Sequence, residues 1–433
     1  MSIQTKSKQR WGVSAWTETA ALGDHFRRLR DFTLALCGPL TIEDHVAQSM
    51  PDASPAKWHI AHTTWFFEQF VLTPFATGYR RFHPDFAFQF NSYYNAAGDR
   101  VARPSRGLMT RPSVQEVRRY RVHVEQAIVT LLGEAGETNE QVRALVEIGL
   151  HHEQQHQELL LTDVKHLLSL NPVRPAYHPE RQDVSAEPSP MKWVSFDEGI
   201  RPIGHAGEGF AYDNEGPRHR QFLEAFELAD RLVTNREYLQ FIEAGGYENP
   251  GHWLDEGWAT ARAERWQTPL YWERRDNDWY VFTLAGMQRL QLDEPVCHVS
   301  LFEADAFADW AGASLPTEAQ WEMAATDYPL DGNLADRGRF HPAVCKADRS
   351  EPLRQMMGDV WEWTGSQYRP YPGYRAVPGA LGEYNGKFMC NQFVLRGGSC
   401  ATHSTHIRRT YRNFFHPAAR WQFTGIRLAR NAR

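Results

Sequence analysis

The sequence predicts an α+β protein in two parts, an N-terminal four-helix bundle followed by a domain of short strands, loops and two helices. Four long stretches of helical apolar spacing fall within the first 170 residues. Five prolines crowd the next stretch, and proline at that density continues neither a helix nor a central strand. Beyond it Gly, Trp and Pro dominate, which is typical of a loop-rich domain. We therefore place the bundle at 1–170, a linker at 171–192 and the second domain at 193–433.

Composition limits the class of protein. The chain has 433 residues, 42% apolar and 23% charged, which is typical of a globular protein of two or three domains. Its formal charge of −6 disfavours a nucleic-acid partner. No apolar run approaches the ~20 residues that span a bilayer, and the N-terminus lacks the apolar segment of a signal peptide. Five cysteines without a CxxC pair indicate reduced thiols, so we expect a cytoplasmic location without membrane contact. The sequence leaves open whether the chain forms a homo-oligomer.

The elements follow from periodicity and capping. Apolar residues at helical spacing predict helices over 14–37, 55–72, 113–133 and 139–169. The connection over 73–112 has no clear period, and a loop that long inside a compact domain is usually functional. In the second domain, Ser300 with Glu303 and Thr317 with Gln320 have the spacing of capping boxes, which predicts two helix starts.

The last predicted bundle helix carries a candidate metal site. Seven residues at spacings of 3 and 4 form one mostly apolar face, which indicates the bundle interior: Val142, Leu145, Gly149, His152, His156, Leu159 and Asp163. Two histidines one turn apart on that face can both reach a metal about 2 Å away. The alternative is a pair of buried histidines bonded to backbone or carboxylate groups.

A third ligand is expected from the helix over 55–72, which offers His59 and His62. We favour His62, which shares a face with Trp58 and Trp65, and expect His59 to face solvent or the rim. Three histidines leave positions open on a metal, as in catalytic sites, and both Zn(II) and Fe(II) accept such a set. The string His152-Glu153-Gln154-Gln155-His156 also fits HExxH, so a zinc peptidase with Glu153 as general base is an alternative.

Longer motifs carry a family resemblance. WHIAHTTWFFE (58–68) and GLHHEQQHQEL (149–159) resemble the DinB-like iron-binding bundle of ergothioneine-biosynthesis sulfoxide synthases. The second half resembles the formylglycine-generating-enzyme (sulfatase-modifying-factor) domain, which has a C-type-lectin-like fold. Six motifs in order carry that likeness: MKWVSF (191–196), VTNREYLQFI (233–242), SLPTEAQWEMAA (314–325), GDVWEWT (358–364), LRGGSC (395–400) and FTGIRLA (423–429).

The resemblance implies a reaction and a cofactor. Fe(II), O2, a thiol and hercynine (Nα-trimethylhistidine) combine, a C–S bond forms at the imidazole carbon between the two nitrogens, and the sulfur becomes a sulfoxide. By the same resemblance the iron ligands are His62, His152 and His156. The regiochemistry does not follow from the sequence itself.

Substrate-binding residues are also implied by the resemblance. Gln155 corresponds to a glutamine that hydrogen-bonds the hercynine imidazole, and Asn413 to an asparagine that contacts hercynine; the alternatives are a solvated bundle residue and an ordinary turn residue. Arg103 and Arg106 correspond to a pair that binds the thiol's carboxylate, for which bidentate guanidinium groups are suited. A basic surface loop is the alternative for this pair.

The sequence departs from the family at two positions. Relatives that use γ-glutamylcysteine have an acid where this chain has Phe415, so cysteine is the expected thiol. They also have a catalytic tyrosine before LRGGS, where this chain offers only Tyr384 in an unclear alignment. Tyr93 and Tyr94 in FNSYYNAAG (90–98) are therefore our candidate proton donors, with aromatic packing as the alternative.

Other functions stay open at this point. A DinB-like metal-dependent thiol transferase would use Zn(II) or Ni(II) without O2, and a lectin-like binding module would have no catalysis. Iron content together with thiol-dependent O2 uptake separates these functions from the sulfoxide synthase.

Overall fold

The computed structural model describes residues 22–94, 98–134, 139–178, 190–207, 209–345, 351–376, 382 and 385–432. Residues 14–21 of the first predicted helix and Tyr384 lie outside these ranges. Within the described residues no helix is both long and apolar enough to cross a membrane.

A bundle of four long helices forms the first half of the described chain, as predicted. They are α1 (Leu22–Cys37), α2 (Ala56–Phe67), α3 (Val114–Glu134) and α4 (Glu140–Leu170). The helix α2 packs against both α3 and α4, and all twelve of its residues are buried. It is therefore the central helix of the bundle, without a solvent face.

The helices α2 and α4 have distinct ends. A π-helical turn, Glu68–Leu72, and a short helix, Thr73–Phe75, extend α2. The helix α4 begins where the Asn139 side chain accepts a hydrogen bond from the Val142 N–H, which satisfies one of the free N–H groups of the first turn. With 31 residues, α4 is roughly 46 Å long. Its residues Gln154, Glu158 and Lys165 contact the second half of the chain.

The predicted long connection between α2 and α3 folds back over α2. It contains the short helix Phe86–Gln89 and the 3₁₀ helix Arg103–Leu108. Lys57 on α2 donates from Nζ to the carbonyl oxygens of Met109 (2.6 Å) and Pro112 (2.9 Å), and Trp65 donates from Nε1 to Ala87 O. These hydrogen bonds hold the connection against the helix that carries His62.

The second half contains short strands in four small sheets and four helices among its described residues. Antiparallel pairs join β1 (Trp193–Phe196), β4 (Phe226–Ala229) and β12 (Ala429–Asn431), then β2 (Gly199–Ile203) and β3 (His219–Leu223), then β5 (Trp272–Arg275), β6 (Asp278–Thr283) and β7 (Gly286–Arg289). The fourth sheet has the order β10 (Asn413–Phe415), β9 (Phe393–Arg396), β8 (Trp361–Gln367) and β11 (Thr424–Gly425), with only β8 and β11 parallel. The helices are α5 (Asn235–Glu243), α6 (Asp255–Ala263), α7 (Leu301–Trp310) and α8 (Glu318–Ala324).

Both predicted capping boxes are present, at the starts of α7 and α8. The Ser300 hydroxyl accepts the Glu303 N–H at 3.1 Å, and the Glu303 carboxylate accepts the Ser300 N–H at 2.8 Å. Thr317 and Gln320 make the same reciprocal pair. Each box satisfies two N–H groups that a helix start otherwise leaves without partners.

The two halves share a core. Ala401 and Phe423 of the second half belong to the same buried cluster as the bundle residues Phe32 and Leu161. On α4, the fully buried carboxylate of Glu158 accepts hydrogen bonds from Trp361 Nε1 (2.7 Å), Ser399 Oγ (2.5 Å) and Thr402 Oγ1 (2.8 Å). Burial raises the pKa of Glu158, and the three donors oppose that shift. The second half is thereby joined to the helix that carries His152 and His156.

Candidate metal centre and its cavity

Three buried histidines meet between α2 and α4. One ring nitrogen each from His62, His152 and His156 lies within 4.8 Å of the others. The ring centres are 4.9 Å apart between His62 and His152, 4.8 Å between His62 and His156, and 4.7 Å between His152 and His156. The structure brings together the three residues that the sequence singled out, and their role as ligands stays a prediction.

A close helix contact makes this meeting possible. Gly149 lies one turn before His152 on α4, and a Cβ atom there would be 2.5 Å from Cε1 of Phe67 on α2. A side chain at this position would force the Phe67 ring or the helices themselves to shift. Gly149 therefore brings α2 close enough for His62 to reach the pair on α4.

The electrostatics favour neutral imidazoles. Burial lowers the pKa of His152 to about 3. Burial, followed by the neighbouring His152, also lowers the pKa values of His62 and His156 well below the ordinary value. A neutral imidazole keeps a lone pair, which is the form that binds a metal.

The hydrogen bonds of His62 indicate which of its ring nitrogens could bind a metal. Its Nδ1 donates to the carbonyl oxygen of Phe90 at 2.6 Å, and its buried Nε2 has no hydrogen-bond partner in the described part of the chain. A buried polar nitrogen without a partner is costly. A divalent metal at the three histidines would satisfy it, so the residues present fit a metal.

The expectation that His59 faces solvent or the rim is wrong. His59 is 2% exposed, its Nδ1 lies 2.9 Å from Nδ1 of His156, and its Nε2 lies 3.0 Å from Oδ2 of Asp163. The error arose because α2 is buried on all sides, so residues on every face of this helix contact other helices.

Glu153, the acid of the HExxH string, is bonded to residues of α1 and α3. Its carboxylate accepts hydrogen bonds from Arg30 Nη1 (2.9 Å), Arg121 Nη2 (2.6 Å) and Thr33 Oγ1 (2.6 Å), all from α1 and α3. The side chain is fully buried in this ion-pair network. A carboxylate held by two guanidinium groups is a poor general base, so the structure does not support a peptidase.

A cavity of about 540 Å³ adjoins the histidine cluster, with His156 in its wall. The bundle side of the wall also includes Trp58, His59, Gln155 and Asp163. The loop between α2 and α3 and the second half complete the wall with Ser92, Tyr93, Arg100, Arg103, Arg106, Tyr411, Asn413, Phe414, Phe415 and Trp421. The site therefore depends on both halves of the chain.

The two predicted arginines differ in depth. Arg103 is exposed in the cavity wall, whereas Arg106 is 4% exposed. Arg106 donates to the hydroxyl groups of Ser54 and Ser92, each at 2.9 Å, and forms no ion pair with a described residue. Burial, followed by the charge of Arg103, lowers the pKa of Arg106. The negative charge of Asp163 opposes that lowering of the pKa, but Asp163 forms no ion pair with Arg106. A buried guanidinium without a paired carboxylate is suited to bind an anion.

Four of the remaining predicted residues line the cavity, and the fifth, Tyr94, does not. Gln155, Asn413 and Phe415 all line the cavity, and Gln155 donates from Nε2 to the Tyr411 hydroxyl at 2.6 Å. Of the two tyrosines, Tyr93 lines the cavity. Tyr94 is fully buried, and its ring centre lies 5.5 Å from Trp65 and 5.3 Å from Phe70.

Sequence reasoning missed three residues of this site. Trp58 stacks on His62 with ring centres 4.4 Å apart, Asp163 contacts His59, and Tyr411 contacts Gln155. A signal existed for each of them. Trp58 shares a helix face with His62, Asp163 lies on the same helix face as His152 and His156, and Tyr411 lies two residues before Asn413.

Comparison with known proteins defines the class. Residues 25–160 match the DinB superfamily, and residues 181–432, more than half of the chain, match the sulfatase-modifying factor enzyme 1-like domain. The protein is thus a DinB-type helical bundle joined to a domain of the sulfatase-modifying factor type, and the predicted α+β architecture is confirmed. The limits 1–170 and 193–433 stay a prediction.

Curated relatives narrow that class. The hercynine oxygenase of Mycolicibacterium thermoresistibile is 35% identical over 309 residues, which cover 64% of this chain and 67% of that protein. The hercynine oxygenase of Mycobacterium tuberculosis is 37% identical over 251 residues, covering 52% and 57%. The formylglycine-generating enzyme of Streptomyces coelicolor is 27% identical over 254 residues, covering 47% and 76%. The chain belongs to the hercynine oxygenase family. Its match to the Mycobacterium tuberculosis protein spans little more than half of that relative's length.

Proposed function

We propose that the protein is an Fe(II)- and O2-dependent oxidoreductase that joins cysteine to the imidazole carbon of hercynine as a sulfoxide, in ergothioneine biosynthesis. One observation carries the proposal. The buried cluster of His62, His152 and His156 borders, through His156, a cavity that also holds Arg106, a buried arginine that forms no ion pair with a described residue. Membership of the hercynine oxygenase family supports it.

The histidine cluster would hold the metal. Three neutral imidazoles accept several divalent metals, so the donor set alone does not select iron. Reaction with O2 requires a redox-active metal, which favours iron over zinc. When bound, Fe(II) would supply the redox chemistry that combines O2, the thiol and the imidazole. Burial of all three donors keeps bulk water away from that chemistry.

Arg103 and Arg106 would bind the carboxylate of the thiol substrate. Arg106 is the stronger anchor, since its buried guanidinium lies over Trp58 and its hydrogen bonds among the described residues go to the uncharged hydroxyl groups of Ser54 and Ser92. A carboxylate there would supply the missing charge and place the thiol on the side of the cavity where His156 lies. Phe415 offers no acid for the amine of a glutamyl group, so cysteine is the proposed thiol over γ-glutamylcysteine.

Gln155, on the bundle side of the cavity wall, and Asn413, in the second half, would orient hercynine. The amide N–H of Gln155 is donated to Tyr411, so its carbonyl oxygen remains to accept the imidazole N–H. Asn413 lies in β10, paired with Leu395 of β9, and a residue fixed in a sheet holds its side chain in place. Phe414, Phe415 and Trp421 complete an apolar wall that excludes water.

Tyr93 is the proposed proton donor. It lines the cavity, whereas Tyr94 packs behind Trp65. A tyrosine hydroxyl in the cavity could deliver a proton as O2 is reduced. Tyr94 stays a second candidate, because its ring centre lies 4.9 Å from that of Tyr93.

The decisive experiment combines product analysis with O2 consumption. Protein loaded with Fe(II) without oxygen is given hercynine, cysteine and then O2, and the product is identified by mass and NMR. We expect O2 uptake that requires both substrates, and a product joined at the carbon between the imidazole nitrogens. C–S bond formation without O2, or with Zn(II) in place of iron, would instead indicate a thiol transferase.

A further inference from the structure

We infer that His59 and Asp163 form a hydrogen-bonded pair that sets the tautomer and orientation of His156, and thereby the metal affinity of the three-histidine cluster. The inference rests on the proposed metal site and adds two residues to it. Neither residue belongs to the cluster itself, so both are positioning residues.

The chain of hydrogen bonds begins at Asp163. Its Oδ2 accepts the backbone N–H of Ser54 at 2.8 Å and lies 3.0 Å from Nε2 of His59. A carboxylate oxygen is an acceptor, so His59 donates from Nε2. When His59 carries its one ring proton on Nε2, its Nδ1 is the acceptor.

That lone pair determines the state of His156. The Nδ1 atoms of His59 and His156 are 2.9 Å apart, and one of them must donate. Since His59 accepts, His156 donates from Nδ1 and keeps its lone pair on Nε2. The reverse assignment would place the proton of His156 on Nε2 and remove that nitrogen as a ligand.

His62 on α2 has the same hydrogen-bonding pattern as His156 on α4. His62 on α2 donates from Nδ1 to the Phe90 carbonyl oxygen and has its Nε2 free of any described partner. Two members of the cluster thus donate their Nδ1 protons to protein acceptors. Metal-binding histidines commonly donate their second nitrogen in this way, and loss of that acceptor typically costs 10–100-fold in metal affinity.

Burial makes the arrangement rigid. His59 is 2% exposed and Asp163 is 6% exposed, so water competes poorly for these hydrogen bonds. The ring of His59 also lies against Trp58 and His156, with ring centres 5.8 and 5.2 Å away. The pair can therefore hold the His156 ring at a fixed angle.

Metal titration of paired variants tests the inference. His59→Leu removes the acceptor, whereas His59→Asn places an amide oxygen near the position of Nδ1. His45→Leu is the control, because His45 is equally buried, bonds to Thr41 O and lies outside the cavity wall. Metal-free proteins are titrated with Co(II) and, without oxygen, with Fe(II), and thermal unfolding of each checks the fold.

We expect His59→Leu to weaken Co(II) and Fe(II) binding roughly 10–100-fold. His59→Asn should bind within about threefold of the original protein, and His45→Leu should bind unchanged. Asp163→Leu should also weaken binding, and the double variant His59→Leu/Asp163→Leu should be no weaker than His59→Leu alone, because Asp163 acts through His59. Changes in the Co(II) absorption spectrum should follow the same order.

Two results would overturn the inference: full affinity in a folded His59→Leu protein, or losses from the two single variants that add in the double variant. His156→Ala separates this failure from failure of the metal site. If His156→Ala abolishes binding while His59→Leu does not, the metal site stands and the positioning pair is wrong. If His156→Ala binds normally, the metal site itself is wrong.

Discussion

The guanidinium of Arg106 lies over the indole of Trp58, 3.4 Å from the centre of its ring. The same indole stacks nearly parallel on His62 with a ring-centre distance of 4.4 Å, and its ring centre lies 5.9 Å from that of His156. Trp58 therefore contacts both the proposed carboxylate site and two of the proposed metal ligands. An amino acid whose carboxylate binds Arg106 would thus lie close to the histidine cluster.

His156→Ala should abolish metal binding and C–S bond formation while the bundle still folds. The side chain lines the cavity, so its removal leaves little unfilled core. Metal content after anaerobic loading, with circular dichroism as the check of folding, measures this. An iron content close to that of the original protein would show that His156 is not a ligand.

Arg106→Gln should raise KM for cysteine by roughly 10–150-fold, the equivalent of ~1.5–3 kcal/mol for a charge-assisted hydrogen bond. KM for hercynine should change little. Cysteamine, a thiol without a carboxylate, provides the matched control. The original protein should have a low kcat/KM for cysteamine, and the variant should have a similar value. Equal losses for cysteine and cysteamine would contradict a carboxylate site at Arg106.

Phe415→Asp should shift thiol preference toward γ-glutamylcysteine. The original protein should prefer cysteine in kcat/KM, and a restored acid should favour the dipeptide by ~1–2 kcal/mol. Phe415→Asn is the control, because an asparagine side chain has nearly the shape of aspartate without its charge. This variant should not shift the thiol preference. The expectation fails if kcat/KM of the original protein for γ-glutamylcysteine equals or exceeds that for cysteine.

Tyr93→Phe should keep the affinity for both substrates and lower the rate 10²–10⁴-fold, as is typical for loss of a positioned acid. Oxidation of the cysteine to its sulfinic acid should then compete with sulfoxide formation. The ratio of the two products is measured for Tyr93→Phe, with Tyr94→Phe as the neighbouring buried comparison. A shift in Tyr384→Phe alone would place the donor in the second domain instead.

Local features of the chain were predictable from the sequence. Helical spacing depends on neighbours three and four residues apart, so the helices over 113–133 and 139–169 and the pairing of His152 with His156 follow from it. Capping boxes are equally local, and both occur where Ser300 and Thr317 predicted them. Motif resemblance added the class of each domain and the candidate cavity residues.

Tertiary structure determines which side chains the predicted helices and loops bring into contact. The periodicity of α2 could not place His59, because a helix buried on all sides has no polar face to orient it. Glu153 belongs to an HExxH string, yet its partners Arg30 and Arg121 are 123 and 32 residues away in the chain. The resemblance indicated that Arg106 binds a carboxylate, but its burial and its contact with Trp58 arise only when its loop folds onto α2. Such contacts join distant segments, so no local pattern in the sequence specifies them.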